Sequence, residues 1–259
     1  MRTALVTGGT SGIGLAFARA LAARGHDLVL VARDEERLEE VAAGLRTEVR
    51  TVETLRADLA DRADVQRVAE RLSDASRPVD VLVNNAGFGV HWPLISEDVS
   101  TWDHAYEVMV RSVLVLSGAA ARSMTTRGSG TIINVSSVAG YITMGAYSSI
   151  KAWVTSYSES LANELRGSGV MVTALLPGWV RTEFHGRARI RASSIPSGLW
   201  LDSEPLVDAC LRDVDRGRVL SIPTIRFQVL TWFLRHLPRN VVRSVSRAIS
   251  SSRRDSLNQ

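Results

Sequence analysis

Residues 3–14 read TALVTGGTSGIG, a short apolar run that leads directly into a glycine-rich segment and then into residues of helical period. Between a strand and a helix, such a segment leaves backbone amides and the helix N-terminus free to bind a pyrophosphate. Glycine is needed there because the backbone approaches the phosphates closely and the helix packs against the strand. We therefore predict a dinucleotide-binding turn, with a plain tight turn as the alternative. The residues expected to contact the dinucleotide are Gly8, Thr10, Ser11, Gly12, Ile13 and Gly14.

Outward from this turn, short apolar runs alternate with longer stretches of helical period. This pattern indicates βαβ units, and strands that are apolar throughout suit a parallel sheet covered by helices on both faces. We expect one α/β domain. Its predicted strands are 3–7, 28–32, 50–56, 80–84, 130–136, 170–176 and 219–222, and its predicted helices are 13–24, 34–46, 61–74, 98–123, 147–166 and 203–215.

The composition is that of a globular protein. Of the 259 residues, 45% are hydrophobic and 22% charged, which excludes disordered, collagenous and disulfide-stapled classes. The single Cys210 cannot form an intramolecular disulfide, so we expect a cytoplasmic protein. The N-terminal residues do not read as a signal or transit peptide, and no apolar run reaches the roughly 18 residues of a membrane span. The five histidines lack metal-ligand spacing, so we expect no metal site.

The end of the second predicted strand indicates which dinucleotide binds. An acidic residue at this point accepts hydrogen bonds from the adenosine ribose, whereas an arginine favours a 2′-phosphate. Here Ala32 stands where the acid is expected, and Arg33 follows it. We therefore expect NADP(H) to be preferred, while NAD(H) remains an alternative. In the other interpretation, Arg33 pairs with Asp34 or Glu36 at the surface.

Four motifs occur in order along the chain, and as a set they resemble the short-chain dehydrogenase/reductase family over about residues 3–185. The resemblance implies a Rossmann-type doubly wound sheet, a nicotinamide cofactor and hydride transfer between a carbonyl and an alcohol. It also implies a homodimer or homotetramer formed through the helices 98–123 and 147–166. The motifs are Thr7-Gly-x-x-x-Gly12-Ile13-Gly14, Asn84-Asn85-Ala86-Gly87, Tyr147-Ser-Ser-Ile-Lys151, and Pro177-Gly178 with Thr182.

Tyr147 and Lys151 form the candidate proton-transfer pair. Reduction of a ketone by hydride leaves an alkoxide, so a proton donor must stand within hydrogen-bond reach of that oxygen. A phenol, with a pKa of about 10, can act as a base near neutral pH only if a cation stabilises the phenolate. The two residues lie four apart in a predicted helix and so share one face. The resemblance implies that the lysine also binds the nicotinamide ribose and that a serine orients the carbonyl.

Lys151 is the only lysine among 31 basic residues, the other 30 being arginine. This ratio indicates that arginine is used wherever a generic positive charge suffices. A planar guanidinium is a poor substitute for a compact ammonium beside a phenolate and two ribose hydroxyls. The exception therefore supports the assignment of Lys151 to the active site.

The orienting serine has two candidates in this chain, and the sequence departs from the family pattern in the spacing of that serine to Tyr147 and at Met109. The family's Ser-x-Ala-Gly context assigns the orienting serine to Ser137, while Ser136 is expected to bond to backbone at the strand end. Ser137 precedes Tyr147 by ten residues, about two fewer than in the family, so we expect a shortened substrate floor. Where many members carry an asparagine that holds a relay water, this chain has Met109, which we leave out of the catalytic set.

The resemblance carries over further cofactor positions. Asp58 and Leu59 correspond to a pair that contacts the adenine, although Asp58 could instead cap the helix that begins near Asp61. The remaining positions are Asn85, Ala86, Gly87, Pro177, Gly178, Val180 and Thr182, in addition to Tyr147 and Lys151.

Segments after three of the strands are expected to set substrate specificity, including a predicted binding loop at 182–205. They are rich in aromatic and apolar residues and poor in acids, so we expect a small-molecule substrate that is hydrophobic, namely a bulky ketone or alcohol rather than a sugar. The alternative is that half of these residues are ordinary core. The residues are Phe88, Trp92, Tyr141, Met144, Trp179, Phe184, Leu199 and Trp200.

The basic C-terminal part is expected to be an amphipathic helical extension. We place the domain at 1–222 and the extension at 223–259. Residues 216–259 carry nine arginines and one acid, a net charge of +8, which leaves −4 on residues 1–215. The extension could close over the substrate pocket, pack against a second subunit, or contact a membrane surface peripherally. Nucleic acid is not expected as a partner.

The leading hypothesis is an NADP(H)-dependent oxidoreductase, a ketoreductase or alcohol dehydrogenase, with Ser137, Tyr147 and Lys151 as catalytic residues. The alternative is a non-catalytic, NADP-sensing binding protein on the same fold.

Overall fold

The computed structural model describes residues 2–46, 51–90, 92–181, 200–244 and 246–247. Seven of its strands form one sheet and two short ones form a separate pair. The strands are β1 (Arg2–Thr7), β2 (His26–Ala32), β3 (Val52–Arg56), β4 (Val81–Asn84), β5 (Gly130–Val135), β6 (Val170–Leu175), β7 (Trp179–Val180), β8 (Trp200–Leu201) and β9 (Leu220–Ser221).

Helices follow the strands of the sheet in alternation. The helices are α1 (Gly12–Ala23), α2 (Glu35–Leu45), α3 (Arg62–Ser73), α4 (Ser100–Tyr106), α5 (Ser112–Arg127), α6 (Gly145–Glu164), α7 (Ser203–Asp215) and α8 (Ile225–His236). A π-helical turn (Glu107–Arg111) joins α4 to α5, and a 3₁₀ turn (Val138–Tyr141) precedes α6.

The main sheet is parallel throughout, with the strand order β3-β2-β1-β4-β5-β6-β9. Apolar residues of α1, α2 and α7 pack on one face, and those of α3, α4, α5 and α6 pack on the other. The order reverses between β1 and β4, and ligands of such sheets bind outside the carboxyl ends of the strands at this switch point. The predicted Rossmann-type doubly wound sheet is confirmed, and it places the glycine-rich turn and the Asn84–Gly87 segment side by side.

Two predicted elements differ from the structure. The predicted helix 98–123 is wrong as a single α-helix, because the π-helical turn interrupts it and α5 continues to Arg127. The predicted loop 182–205 is also partly wrong, since Trp200–Leu201 pairs with Trp179–Val180 and α7 begins at Ser203. Residues 182–199 of that loop lie outside the described residues, together with Phe184 and Leu199.

The single domain with a helical extension is confirmed. In the extension, Phe227 of α8 is buried with Val138 and Leu176, and residues 239–244 are helical as well. The boundary at residue 222 stays a prediction. Within the described part of the chain, no helix is both long and apolar enough to span a bilayer.

Candidate active site

The glycine-rich turn is clamped to the segment after β4. The Thr7 hydroxyl donates to the Val83 carbonyl (3.3 Å) and accepts from the amides of Asn85 (3.0 Å) and Ala86 (3.1 Å). In return, the Asn85 side-chain amide donates to the carbonyls of Thr7 (3.0 Å) and Gly8 (3.2 Å). Asn85 therefore fixes the backbone of the turn.

Gly14 lies where α1 approaches this clamp most closely. A Cβ atom at Gly14 would stand 2.1 Å from the Gly8 carbonyl oxygen and 2.4 Å from Asn85 Nδ2. Both neighbours are held by the hydrogen bonds of the clamp, so neither has room to retreat. The glycine is therefore required by helix packing, as the sequence predicted.

Replacing Gly14 with alanine is expected to lower the free energy of unfolding by about 1–3 kcal/mol, because the added methyl group overlaps backbone atoms. Gly44→Ala is the matched control, since nothing lies within 4 Å of a Cβ at that exposed position of α2. Alanine there should stabilise the protein by about 0.5–1 kcal/mol. Urea unfolding of both variants measures the difference, and equal stability of the two would contradict the assigned packing.

The N-terminus of α1 is suited to an anion. Asp34 and Asp61 cap α2 and α3 by accepting hydrogen bonds from backbone amides. For α1, no side chain among the described residues caps the helix at Ser11, and its first turn carries no acid. The first amides and the positive end of the helix dipole thus face the carboxyl edge of the sheet. This end of α1 fits a pyrophosphate, as expected for the predicted dinucleotide.

Ser137, Tyr147 and Lys151 come together at the carboxyl end of β5. Ser137 follows the strand; its hydroxyl accepts from the Ala139 amide (3.1 Å) and forms a hydrogen bond with Tyr147. Lys151 lies one turn after Tyr147 on α6, with Nζ 5.7 Å from the centroid of the tyrosine ring. The Lys151 ammonium is buried and donates to the Val135 carbonyl (2.8 Å). The three predicted side chains therefore form one group.

Burial shifts the pKa values of the pair in opposite directions. It raises the pKa of Tyr147 to about 12, against the lowering effect of the hydrogen bond with Ser137. It lowers the pKa of Lys151 to about 8. Desolvation disfavours the charged form in both cases. At neutral pH the tyrosine is therefore a neutral phenol with a proton to give, and the lysine is largely a cation.

Ser136 has a structural role, and this expectation is confirmed. Its hydroxyl donates to the Lys151 carbonyl (2.7 Å) and lies 2.7 Å from the Thr155 hydroxyl. The side chain is buried under α6 and its bonds are directed into that helix. Ser136 thus ties the helix of the Tyr147–Lys151 pair to β5.

Met109 occupies the π-helical turn, and its side chain is buried. A Cβ atom at Gly87 would lie 3.1 Å from the Met109 sulfur, so the thioether packs against the backbone that follows β4. A thioether is a weak acceptor and no donor, so this side chain cannot replace an amide in a proton relay. The sequence did not predict the π-helical turn, although such turns frequently occur at functional sites.

Arg33 stands just beyond β2, and its side chain is exposed. Within the ranges that the structure describes, it forms no ion pair with Asp34 or Glu36, so the surface-pair alternative is wrong. Asp34 instead accepts from the Arg37 amide (3.1 Å). Arg37, which the sequence analysis missed, donates from Nε to the Thr10 carbonyl (3.2 Å) and links α2 to the glycine-rich turn.

Asp58 is not the cap of α3, so that alternative is wrong. The cap is Asp61, whose carboxylate accepts from the amides of Ala63 (2.7 Å) and Asp64 (3.2 Å). The Asp58 carboxylate accepts only from the nearby Ala60 amide (3.0 Å) among the hydrogen bonds that the structure gives it. Asp58 therefore remains available at the carboxyl end of β3 for the contact predicted from the resemblance.

The residues that follow β6 lie beside Ser137 of the candidate catalytic group. The Pro177 carbonyl accepts from the Val138 amide (3.1 Å) and from the Ser137 hydroxyl (3.4 Å). Leu59 and Val180 are buried in the core, and their contacts with a cofactor stay predictions. Thr182 lies outside the described residues.

A side chain from α8 completes this edge. The Phe227 ring covers Gly178, where a Cβ atom would stand 2.1 Å from the ring, and lies 6.0 Å from the Trp179 ring. Arg235 of the same helix lies 5.8 Å from the Tyr141 ring. The extension thus packs over the 3₁₀ turn that follows Ser137, which supports the packing alternative for one face of α8.

The predicted specificity residues do not all gather at one place. Tyr141 and Trp179 lie with Phe227 at the edge just described. Phe88 contacts His104 instead, and Trp92 is 42% exposed, with its indole N–H donating to the Asp98 carbonyl.

Comparisons with known proteins agree with this geometry. The family model "short chain dehydrogenase" matches residues 2–192. A short chain dehydrogenase of Pseudocercospora fijiensis is 38% identical over 187 residues, which are 70% of this chain and 60% of that protein's length.

Solved structures are similar over nearly the whole chain. A short-chain dehydrogenase from Sphingobium yanoikuyae in complex with NADPH has a TM-score of 0.82 and 35% identity, covering 92% of this chain and 97% of that one. The bulky-bulky ketone specific alcohol dehydrogenase from Comamonas testosteroni has a TM-score of 0.78 and 30% identity, covering 100% and 94%. A short chain dehydrogenase/reductase from Burkholderia phymatum in complex with NAD has a TM-score of 0.79 and 26% identity, covering 90% and 92%. The chain therefore belongs to the short-chain dehydrogenase family of NAD(P)-dependent oxidoreductases.

Proposed function

We propose that the protein is an NADP(H)-dependent ketoreductase or alcohol dehydrogenase that acts on a bulky apolar carbonyl or alcohol. One observation carries this proposal: Ser137, Tyr147 and Lys151 form a connected group at the carboxyl end of β5, on the same edge of the sheet as the glycine-rich turn that follows β1. When bound, the nicotinamide supplies or accepts the hydride. The residues of this chain hold the substrate oxygen and move its proton.

In the direction of reduction, the Tyr147 hydroxyl gives its proton to the carbonyl oxygen. Its raised pKa keeps it protonated and ready to donate at neutral pH. Ser137 holds the Tyr147 hydroxyl by a hydrogen bond and offers its own hydroxyl to the substrate carbonyl oxygen. Lys151 stabilises the phenolate that forms, because a nearby cation favours the charged form of an acid. Oxidation needs the same tyrosine as a phenolate, and the raised pKa of Tyr147 disfavours that form at neutral pH.

The preference for NADP(H) rests on Arg33. An exposed guanidinium at the carboxyl end of β2, without an ion pair in the described part of the chain, is free to bind a 2′-phosphate. The Sphingobium yanoikuyae structure holds NADPH and the Burkholderia phymatum structure holds NAD, so membership of the family does not decide the preference.

The Arg33→Ala variant is expected to bind NADPH about 10–100-fold more weakly, the range set by roughly 1.5–3 kcal/mol for a hydrogen bond to a charged group. Its affinity for NADH should stay within about twofold, because NADH lacks the phosphate. Arg122→Ala on the exposed surface of α5 is the matched control and should leave both affinities unchanged. Isothermal titration of each variant with both cofactors measures this, and equal losses for NADPH and NADH would contradict the role of Arg33.

The proposed substrate class rests on the apolar edge formed by Tyr141, Trp179 and Phe227. Such a wall favours an apolar substituent through burial of surface and offers a sugar few hydrogen-bond partners. The Comamonas testosteroni relative, named for bulky-bulky ketones, supports the same class.

We also propose a homodimer or homotetramer formed through α4, α5 and α6. The support is that Tyr106 on α4 is 55% exposed and Leu114 on α5 is 47% exposed, and burial in an interface would remove these apolar groups from water.

A further inference from the structure

Helix α8 has one side buried against the body and an exposed apolar side opposite to it. One side packs on the body through Phe227 and Thr231, which are 2% and 1% exposed. The other side carries four large apolar residues at positions i, i+4, i+7 and i+8, which is the spacing of one helix face. We call these four residues the outer stripe. They are Ile225, Val229, Trp232 and Phe233, and each is at least half exposed.

An exposed apolar surface of this size indicates a binding partner. A surface helix ordinarily presents polar residues on the side away from the core, and contiguous exposed apolar patches mark protein or membrane interaction sites. Leu237 and Val241 extend the exposed apolar surface beyond the end of α8. Because the buried side of the same helix already fills its contact with the body, the stripe cannot turn inward without exposing Phe227.

The positive charge around the outer stripe indicates which kind of partner binds it. No acidic residue occurs in the sequence between Asp215 and Asp255, while that segment holds nine arginines. Arg239 and Arg243 are both exposed and follow the stripe in the helical residues 239–244. A second copy of this face would bring two basic surfaces together, and like charges oppose such pairing. An anionic surface complements both the charge and the apolar stripe.

We propose that α8 and residues 239–244 bind the surface of an anionic lipid bilayer. The outer stripe enters the boundary between headgroups and acyl chains, and the arginines contact lipid phosphates. Trp232 suits this boundary because its ring system is apolar while its indole N–H can face polar groups, and Phe233 adds apolar surface that the lipid can bury. The other side of the same helix covers Gly178, so membrane binding would bring the apolar edge of the active site close to the lipid. Only this last consequence rests on the proposed function.

The test is co-sedimentation of the full chain with vesicles, without cofactor or substrate. Vesicles of phosphatidylglycerol and phosphatidylcholine should bind the protein, vesicles of phosphatidylcholine alone should bind it far more weakly, and added salt should weaken binding. The double variant Trp232→Ser, Phe233→Ser should lose binding by about tenfold or more, because two exposed aromatic side chains no longer enter the lipid. The matched control is Leu94→Ser with Ile95→Ser, which removes two exposed apolar residues elsewhere and should bind normally.

A second pair of variants tests the charges. Arg239→Gln with Arg243→Gln should weaken binding to anionic vesicles by about 30-fold, which corresponds to about 1 kcal/mol for each of the two basic residues near the surface. The control variant Arg122→Gln with Arg166→Gln removes the same amount of charge from exposed positions outside the extension and should not weaken binding. Equal binding of the full chain to both vesicle types, or absence of binding, would overturn the proposal. So would a dimer that dissociates in the Trp232→Ser, Phe233→Ser variant, since the stripe would then be a subunit interface. Because no turnover is measured, a failure here leaves the proposed oxidoreduction untouched.

Discussion

The Tyr147→Phe variant is expected to lose about 10²–10⁴-fold in kcat for ketone reduction, which is the usual contribution of a positioned general acid. Phenylalanine fills the same half-buried space on α6 but has no proton to give and no hydrogen bond to offer Ser137. Affinity for NADPH should change little, because the variant keeps the glycine-rich turn and Lys151. Stopped-flow measurement of a single turnover separates the two effects.

The matched control for this variant is Tyr106→Phe, which removes a phenol hydroxyl from α4 and keeps the aromatic ring that the proposed subunit contact would bury. It should retain full activity. If Tyr147→Phe kept a rate within about threefold of the unmodified protein, the proton would have to come from another group. If neither protein turned over any ketone while both bound NADPH, the alternative of an NADP-sensing binding protein would be favoured.

The Lys151→Arg variant is expected to lose about 100-fold or more in kcat, although it preserves the positive charge. Lys151 Nζ fits a buried position with one hydrogen bond of 2.8 Å to the Val135 carbonyl. A planar guanidinium is larger and cannot occupy this site without moving away from Tyr147. Arg122→Lys, an exchange of the same two residue types at the exposed surface of α5, should leave kcat unchanged. Full activity of Lys151→Arg would show that a positive charge alone suffices.

A pH profile of the unmodified protein tests the same lysine without a substitution. Burial lowers the pKa of Lys151 to about 8, so the ammonium is present below this pH and is lost as the pH rises through it. The profile of kcat/KM for NADPH reports groups of the free enzyme, and it should therefore fall on the alkaline side near pH 8. Tyr147, whose pKa is raised to about 12, should not titrate in this range. A flat profile up to pH 10 would contradict the assigned state of Lys151.

Sequence reasoning succeeded where function depends on local spacing. The pair Tyr147 and Lys151 lies four residues apart, so any helix brings them to one face, and the structure confirms that they are neighbours. The glycine-rich turn was equally predictable, because its chemistry lies within one βα unit. Ser137 was separated from Ser136 by local context alone, and the hydrogen bonds of the two hydroxyls agree with that choice.

Sequence reasoning failed where distant segments meet. Phe227 covers Gly178, a contact over 49 positions that no local pattern reveals. The link from Arg37 to the Thr10 carbonyl spans 27 positions and depends on how α2 sits beside the turn. The alternative that Asp58 caps α3 is wrong for a different reason: Asp58 and Asp61 have the same capping chemistry, and only the position where the helix begins decides between them. The π-helical turn at Met109 contains no glycine or proline that would have predicted it from the sequence, and we have no physical account of its position.

The most direct test of the central claim is turnover itself. The unmodified protein should oxidise NADPH when mixed with at least one member of a panel of bulky apolar ketones, forming one alcohol per NADPH consumed. This turnover should disappear in Tyr147→Phe, while NADPH still binds. If NADPH bound tightly and no ketone or alcohol in the panel gave turnover that depended on Tyr147, the assignment of Ser137, Tyr147 and Lys151 as a catalytic group would be contradicted.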